Sequence, residues 1–327
     1  MRPSGRRRGR WRRPFLALLV TAAVVLPLSA AAQPRIPAPA PARLAPLTAS
    51  TLDEAYAANR ANAAEAARTA EAHGHHRRAA ADRAMAEPSR TLLAFDGRGT
   101  GRVTEVLGDL ARAERVAVLV PGSDTGLDTY ARFRAAAAAL HERLAREAAD
   151  GIRTAVVAWL GYETPGTVST TALTTTEADR AAPDLRRFIR GLHTIAGPGT
   201  RVTLVCHSYG SVVCAGAASA AAVDNIDDIA LIGSPGTGAR SAAALRTTAR
   251  VWAARGTDDW IAHVPHVSAD IFGTRVGFGT DPVSPAFGAR VFAAGDGGHS
   301  DYFSPGSVSL TNLARIVLGD TSEVTRG

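Results

Sequence analysis

From residue 91 onward, short runs of β-branched residues alternate with longer helical stretches, and this alternation leaves few architectures open. Leu92–Phe95 and Val103–Leu107 read as a hairpin around Gly97–Gly101. Further strands are predicted at Arg115–Val120, Thr154–Leu160, Val202–Val205, Ile229–Ile232, Val251–Ala253 and Arg290–Ala293. Helices are predicted over Tyr130–Ala148, Ala178–Thr194, Ser211–Ala222 and Val308–Leu318. A parallel strand needs a long crossover before its neighbour, and a helix supplies it. The expected class is therefore α/β, with a mostly parallel central sheet covered by helices on both faces. Such sheets bind ligands beyond the carboxyl ends of their strands, so chemistry is expected in the segments that directly follow strands.

The segments ahead of that pattern differ in kind. Residues 1–32 read as an export signal: an Arg-rich start through Arg13, an apolar run Phe15–Leu28, and small residues Ala30-Ala31-Ala32 before Gln33. Arg12-Arg13-Pro14-Phe15-Leu16 resembles a twin-arginine core, which implies export after folding. The alternative is an uncleaved membrane anchor, against which the apolar run is shorter than the roughly 20 residues a bilayer requires, and Pro27 interrupts it. Residues 33–50 alternate Pro and Ala, a composition that favours an extended linker. Residues 51–90 form an Ala-rich helical segment, broken at His73-Gly74-His75-His76. Those histidines read as a solvated break rather than a metal site, since no Cys or carboxylate cluster accompanies them. Residues 91–327 form the catalytic domain in this division of the chain.

Charge excludes one class of partner. Seven of the 37 basic residues lie before residue 33, and the remaining 30 match the 30 acidic ones. A nucleic-acid-binding domain needs a surplus of phosphate-neutralising cations, and the body of this chain has none. The two cysteines, Cys206 and Cys214, are expected as buried free thiols, with a bridge across the strand–helix pair as the alternative.

The most specific signal is Val202-Thr-Leu-Val-Cys-His-Ser-Tyr-Gly210, an apolar strand ending in one serine before a small-residue helix. This is the context of a nucleophile elbow, a sharp turn that lifts a serine oxygen above the sheet. Gly210 supplies the small residue after Ser208; before it, Cys206 stands where glycine is usual. A serine hydroxyl is a weak nucleophile unless a base takes its proton and a carboxylate orients the base. In this fold the order along the chain is Ser, acid, His. After strand Val251–Ala253 come two adjacent carboxylates; Asp259 has the better spacing from Gly256, with Asp258 the alternative. After the last strand, a Gly-rich turn carries His299, the candidate base. His207 is set aside because adjacent side chains diverge, so it points away from Ser208. Oxyanion donors are expected from the backbone N–H of Tyr209 and, in the Pro121-Gly122-Ser123 turn, of Ser123. Trp159, Tyr162 and Ser234 follow strands and are the weaker candidates for substrate contact. The composition of segments 164–176 and 261–287 fits a lid or cap, and fits a surface loop equally well.

The stretch from Leu92 to about Leu318 resembles the bacterial alpha/beta hydrolase 8 family. The resemblance rests on Leu92-Leu-Ala-Phe-Asp96, Val120-Pro-Gly122, Trp159-Leu-Gly-Tyr162, His207-Ser-Tyr-Gly-Ser211, Gly233-Ser-Pro-Gly236, Phe287-Gly288, His299 and Tyr302-Phe303. It implies the α/β-hydrolase fold, a Ser208/Asp259/His299 triad and a helical segment ahead of the domain. It does not specify a substrate. Together these readings lead to the expectation of a secreted serine hydrolase acting on a small-molecule or lipid-like carboxylic ester through an acyl-enzyme. No metal or organic cofactor is implied, nor any nucleic-acid partner; association with the cell envelope is the alternative to free secretion. A cell-envelope acyltransferase and a non-catalytic binding module on the same fold are the rival readings. No heptad or exposed apolar stripe indicates an oligomer.

Overall fold

A computed structural model describes residues 36–167, 174–219, 226–264, 266, 269–271 and 274–327. The expected signal segment, residues 1–32, lies outside them, and residues 37–327 form one compact unit. In chain order this unit contains α1 (Leu52–Ala72), α2 (His76–Met85), β1 (Leu92–Asp96), β2 (Arg102–Gly108), β3 (Arg115–Val120) and α3 (Tyr130–Glu147). There follow β4 (Thr154–Leu160), α4 (Thr176–Ala196), β5 (Arg201–His207), α5 (Gly210–Ala218), β6 (Asp228–Ile232) and β7 (Arg250–Ala254). The last elements are β8 (Ala269–Ile271), β9 (Thr274–Val276), β10 (Arg290–Val291) and α6 (Val308–Leu318).

Eight strands make one sheet in the order β1-β2-β4-β3-β5-β6-β7-β10. β2 runs antiparallel to β1 and β4; every other pairing in that sheet is parallel. This is the arrangement the resemblance implies. β8 and β9 form a separate antiparallel pair that the sequence pattern did not reveal. Each of these strands is three residues long, too short for alternation to register.

The parallel strands read as continuous apolar runs because helices cover both faces. In β3, Val116, Val118 and Val120 enter one core cluster, and Ala117 and Leu119 enter the other. The first cluster is closed by Leu185, Ile189 and Leu192 of α4 with Val212 and Val213 of α5. The second is closed by Leu140 and Leu144 of α3 with Leu310, Leu313 and Ile316 of α6. Successive strand residues point to opposite faces, so each of β1 to β7 contributes to both clusters.

The Ala-rich segment braces this sheet. α1 and α2 pack on each other, and α1 lies against β1, with Tyr56 in one cluster and Ala63 and Ala66 in the other. His73 ends the first helix and His75 caps the second, so the histidine run is the helix break. Part of the Pro/Ala-rich segment also packs: Ala38 lies against the core and Ala40 O accepts from Asn62 Nδ2 at 2.7 Å. Two arginines tie the helical segment to the domain. Arg78 donates to both carboxylate oxygens of Asp128, at 3.0 and 3.1 Å, and to the carbonyls of Gly97, Gly99 and Thr100. Arg90 forks onto buried Glu105 of β2, at 2.6 and 2.8 Å. Glu105 also accepts from Tyr130 Oη at 2.9 Å and from Arg134 Nε at 3.0 Å, which fixes the rotation of α3.

Asp82 of α2 is buried, and neither of its carboxylate oxygens has a partner among the described residues. Burial raises its carboxyl to about 7; Asp128 adds to this and Arg78 opposes it. The unfolded chain ionises near the usual carboxylate value, well below 7. The penalty of the buried charge therefore grows as pH rises from about 4 and is complete above about 7. Asp82→Asn should raise the melting temperature at pH 8, and the gain should shrink toward zero near pH 4; thermal denaturation at both pH values measures it.

Candidate active site

The apolar run of β5 ends at His207, Ser208 follows with φ of +52°, and α5 begins at Gly210. A left-handed conformation costs a non-glycine residue roughly 1 kcal/mol or more and persists where the surroundings over-determine it. Here the Ser208 N–H donates to Ile232 O of the neighbouring strand at 3.0 Å. A Cβ at Gly210 would stand 2.5 Å from Val120 O, and one at Gly122 would stand 2.6 Å from Ser208 Cβ. Bare backbone at both positions lets the end of β3 reach the serine.

The expectation of free thiols is corrected: Cys206 and Cys214 form a disulfide. The elbow folds α5 back along β5, so residues eight apart have Cα atoms at 6.4 Å, inside the range a bridge can span. The cross-link encloses the turn that carries Ser208. Cys206 therefore fills the place of the usual glycine with a side chain committed to α5.

Loops after two other strands complete the site. Ser208 Oγ lies 2.9 Å from His299 Nε2. His299 Nδ1 lies 2.9 and 3.0 Å from the two carboxylate oxygens of Asp259. Because Nδ1 faces a carboxylate, it carries the proton and leaves Nε2 to accept from the serine. Asp259 is fully buried and also accepts from Ile261 N–H at 2.9 Å and Tyr302 Oη at 2.6 Å. Burial pushes its carboxyl upward, but the bonds from His299, Tyr302 and Ile261 together hold it below the usual value. Burial and then Asp259 push the Tyr302 phenol well above its ordinary range, so it remains a donor. Asp258 is exposed, so the adjacent carboxylates are separated by burial. The Gly-rich turn carrying His299 is shaped by Asp301, whose Oδ2 accepts from Gly298 N–H at 2.9 Å.

His207 points away from Ser208, as the sequence suggested, and still belongs to the site, because the loop carrying His299 folds over it. His207 Nε2 donates to the carbonyl of His299 at 2.7 Å, and the two rings lie 4.7 Å apart. Desolvation lowers the His207 imidazole to about 4, with the charge of His299 adding to it and the bond to the His299 carbonyl opposing it. His207 is therefore a neutral strut under the candidate base.

Ser208 opens into a cavity of about 360 Å³. Its wall combines the turn Pro121–Thr125, the α3 face bearing Arg132, Phe133 and Ala136, and Trp260, Ile261, Val264, Phe278 and Phe303. Thr167, Val264 and Phe278 come from the two segments with lid-like composition. Among the described residues, the backbone N–H groups of Ser123 and Tyr209 meet no protein acceptor, and both residues border the cavity. The Ser123 turn is held from behind. Tyr162 Oη donates to Pro121 O at 2.6 Å, Asp124 N–H donates to Pro165 O at 3.0 Å, and Thr125 N–H donates to Thr164 Oγ1 at 3.0 Å.

Three expected substrate contacts are corrected. Tyr162 is buried behind the turn it supports, and Trp159 stacks on it with ring centres 6.0 Å apart, inside the core. Ser234 is buried, and its hydroxyl accepts from Gly236 N–H at 3.1 Å within its own turn. None of the three borders the cavity. Position after a strand locates the right edge of the sheet; it does not say which way each side chain turns.

A family profile described as alpha/beta hydrolase matches residues 96–269, over half of the chain. The chain belongs to the alpha/beta hydrolase family. An uncharacterised protein of Mycobacterium tuberculosis is 31% identical to this alpha/beta hydrolase over 69% of the chain and 38% of its own length. One of Mycobacterium bovis is 33% identical over 49% of the chain and 63% of its own length. The chain thus spans less than two thirds of either relative. Among solved structures, that of the esterase PE8 aligns with 64% of this chain and 95% of its own, at 17% identity and a TM-score of 0.42.

A hydroxyl bonded to an imidazole that is bonded in turn to a carboxylate can lose its proton as it attacks an electrophile. If His207 holds the imidazole in place, His207→Phe should slow the reaction of Ser208 with a fluorophosphonate about tenfold or more. His207→Gln, which keeps a donor, should recover most of the rate; stopped-time labelling of the folded variants compares them.

Proposed function

We propose that this chain is an exported serine hydrolase that cleaves carboxylic esters through an acyl-enzyme. The observation that carries the reading is the unbroken chain of hydrogen bonds from Tyr302 through Asp259 and His299 to Ser208, at the floor of a largely apolar cavity. Ser208 Oγ attacks the ester carbonyl carbon while His299 Nε2 takes its proton, and Asp259 stabilises the resulting imidazolium. The carbonyl oxygen becomes an oxyanion that accepts from the N–H groups of Ser123 and Tyr209. Collapse breaks the bond to the alkoxy oxygen, which leaves as the alcohol with the proton from His299. Water then attacks the acyl carbon, gives its proton to His299, and the acid departs as Ser208 regains its hydrogen. The apolar wall favours an ester over a more polar acyl derivative.

The test is labelling by a fluorophosphonate together with turnover of 4-nitrophenyl butyrate to nitrophenol and free acid. Both should occur in the wild type and be lost in Ser208→Ala, with turnover down by about 10⁴-fold or more. A folded wild type that neither labels nor turns over would leave a binding module as the reading.

Export is supported by the leader-like composition of residues 1–32 and by the disulfide, since such bonds persist in oxidising compartments. N-terminal sequencing of protein recovered from the culture medium or cell envelope should begin at Gln33, and Cys206 and Cys214 should alkylate only after reduction. A start at Met1 would refute cleavage and leave a retained anchor as the reading, and thiols that alkylate without reduction would remove the support the disulfide gives to export.

A further inference from the structure

The charged groups around Ser208 are unequally satisfied. Asp124, the one carboxylate on the described cavity wall, accepts from the backbone N–H of Thr167 at 3.1 Å and from its hydroxyl. His207 is committed to the His299 carbonyl, and His299 to Ser208 and Asp259. Arg132 is the exception. It borders the same cavity and has no ion pair or hydrogen bond among the described residues. Helical spacing explains why. Tyr130 and Arg134, four apart, both turn to Glu105 and are bonded there, and this anchors α3 so that Arg132, Phe133 and Ala136 face the cavity. The positive charge of Arg132 is felt as deep as His207. A guanidinium offers five donors in a planar fork that matches a carboxylate or a phosphate. Arg132 is itself exposed, so it stands where the cavity meets solvent, and there it can meet a charged end of a substrate whose apolar part lies against the neighbouring side chains.

Resting on the hydrolase reading, we propose that Arg132 receives an anionic group of the substrate, so that the site selects esters carrying a carboxylate or phosphate over neutral esters of the same size. The anion is bound and does not react; the ester bond still opens at Ser208. The cavity would thus divide the substrate between the apolar side chains, which take the hydrocarbon, and Arg132, which takes the charge.

Two matched pairs of esters test this. One pair carries the charge on the acyl side: mono-4-nitrophenyl glutarate against 4-nitrophenyl valerate. The other carries it on the alcohol side: 3-carboxyphenyl butyrate against phenyl butyrate. The readout is the ratio of kcat/KM, anionic over neutral, in wild type, Arg132→Lys and Arg132→Gln, with fluorophosphonate labelling of Ser208 and a thermal melt on each. In at least one pair the wild-type ratio should exceed that of Arg132→Gln by about tenfold. Arg132→Lys should fall between them, and the wild-type preference should shrink as salt screens the charge. Ratios that are the same in all three proteins, with labelling intact, would overturn the role of Arg132 and leave the hydrolase reading standing. A folded wild type that neither labels nor cleaves any of the four esters would overturn both.

Discussion

Ser208 sits in a backbone conformation that a side chain disfavours, and much of the domain is arranged around holding it there. β5 and α5 must meet at a sharp angle, β3 must pass close beside them, and a neighbouring strand must take the serine N–H. The glycines at 122 and 210 permit the approach, and Ile232 O takes the hydrogen bond. The disulfide between Cys206 and Cys214 ties the two arms of the turn together in a chain whose elbow lacks the usual glycine at position 206. The strain is local, while the restraint comes from the whole parallel sheet. The hydroxyl is therefore held in a fixed position at the cavity.

The groups around the serine are themselves held by a second ring of contacts. Tyr302 and Ile261 N–H hold Asp259, His207 holds the backbone of His299, and Tyr162 holds the turn that presents the Ser123 N–H. Each of these partners is buried or desolvated, where an unmade hydrogen bond costs about 1–3 kcal/mol. A misplaced loop would therefore leave several groups unsatisfied at once. The Ala-rich helices extend this support outward. Through Arg78 they grip the turn that precedes α3, and through Arg90 and Glu105 they reach the helix that forms one wall of the cavity. A segment with few large apolar residues thus contributes by charged and hydrogen-bonded contacts rather than by a core of its own.

Much of this was legible in the sequence, for reasons that can be stated. Strand and helix periods differ, and the parallel strands are apolar throughout, so the order of elements and the sheet class followed from pattern alone. Ser208, Asp259 and His299 could be named because each directly follows a strand and because order along the chain narrows the choice. Trp159, Tyr162 and Ser234 follow strands as well, yet they turn into the core or into their own loop. Position beyond a strand end gives an address but no direction. The divergence of His207 from Ser208 was legible, but its contact with the His299 carbonyl was not, because that partner lies 92 residues away and no local pattern reports it. The free-thiol reading failed likewise, since the closeness of Cys206 and Cys214 depends on the angle of the elbow.

The sequence by itself determined the class of fold, the succession of elements, the candidate nucleophile and its base, because these depend on local period, chain order and the few residue types that can do the chemistry. Tertiary structure decided which of two adjacent aspartates is buried against the imidazole, whether two cysteines meet, which aromatic side chains face the cavity, and that Arg132 has no counter-ion among the described residues. Those outcomes depend on directions and distances set by packing between elements far apart in the chain. They become definite only when α3, the elbow and the His299 loop are assembled around the same end of the sheet.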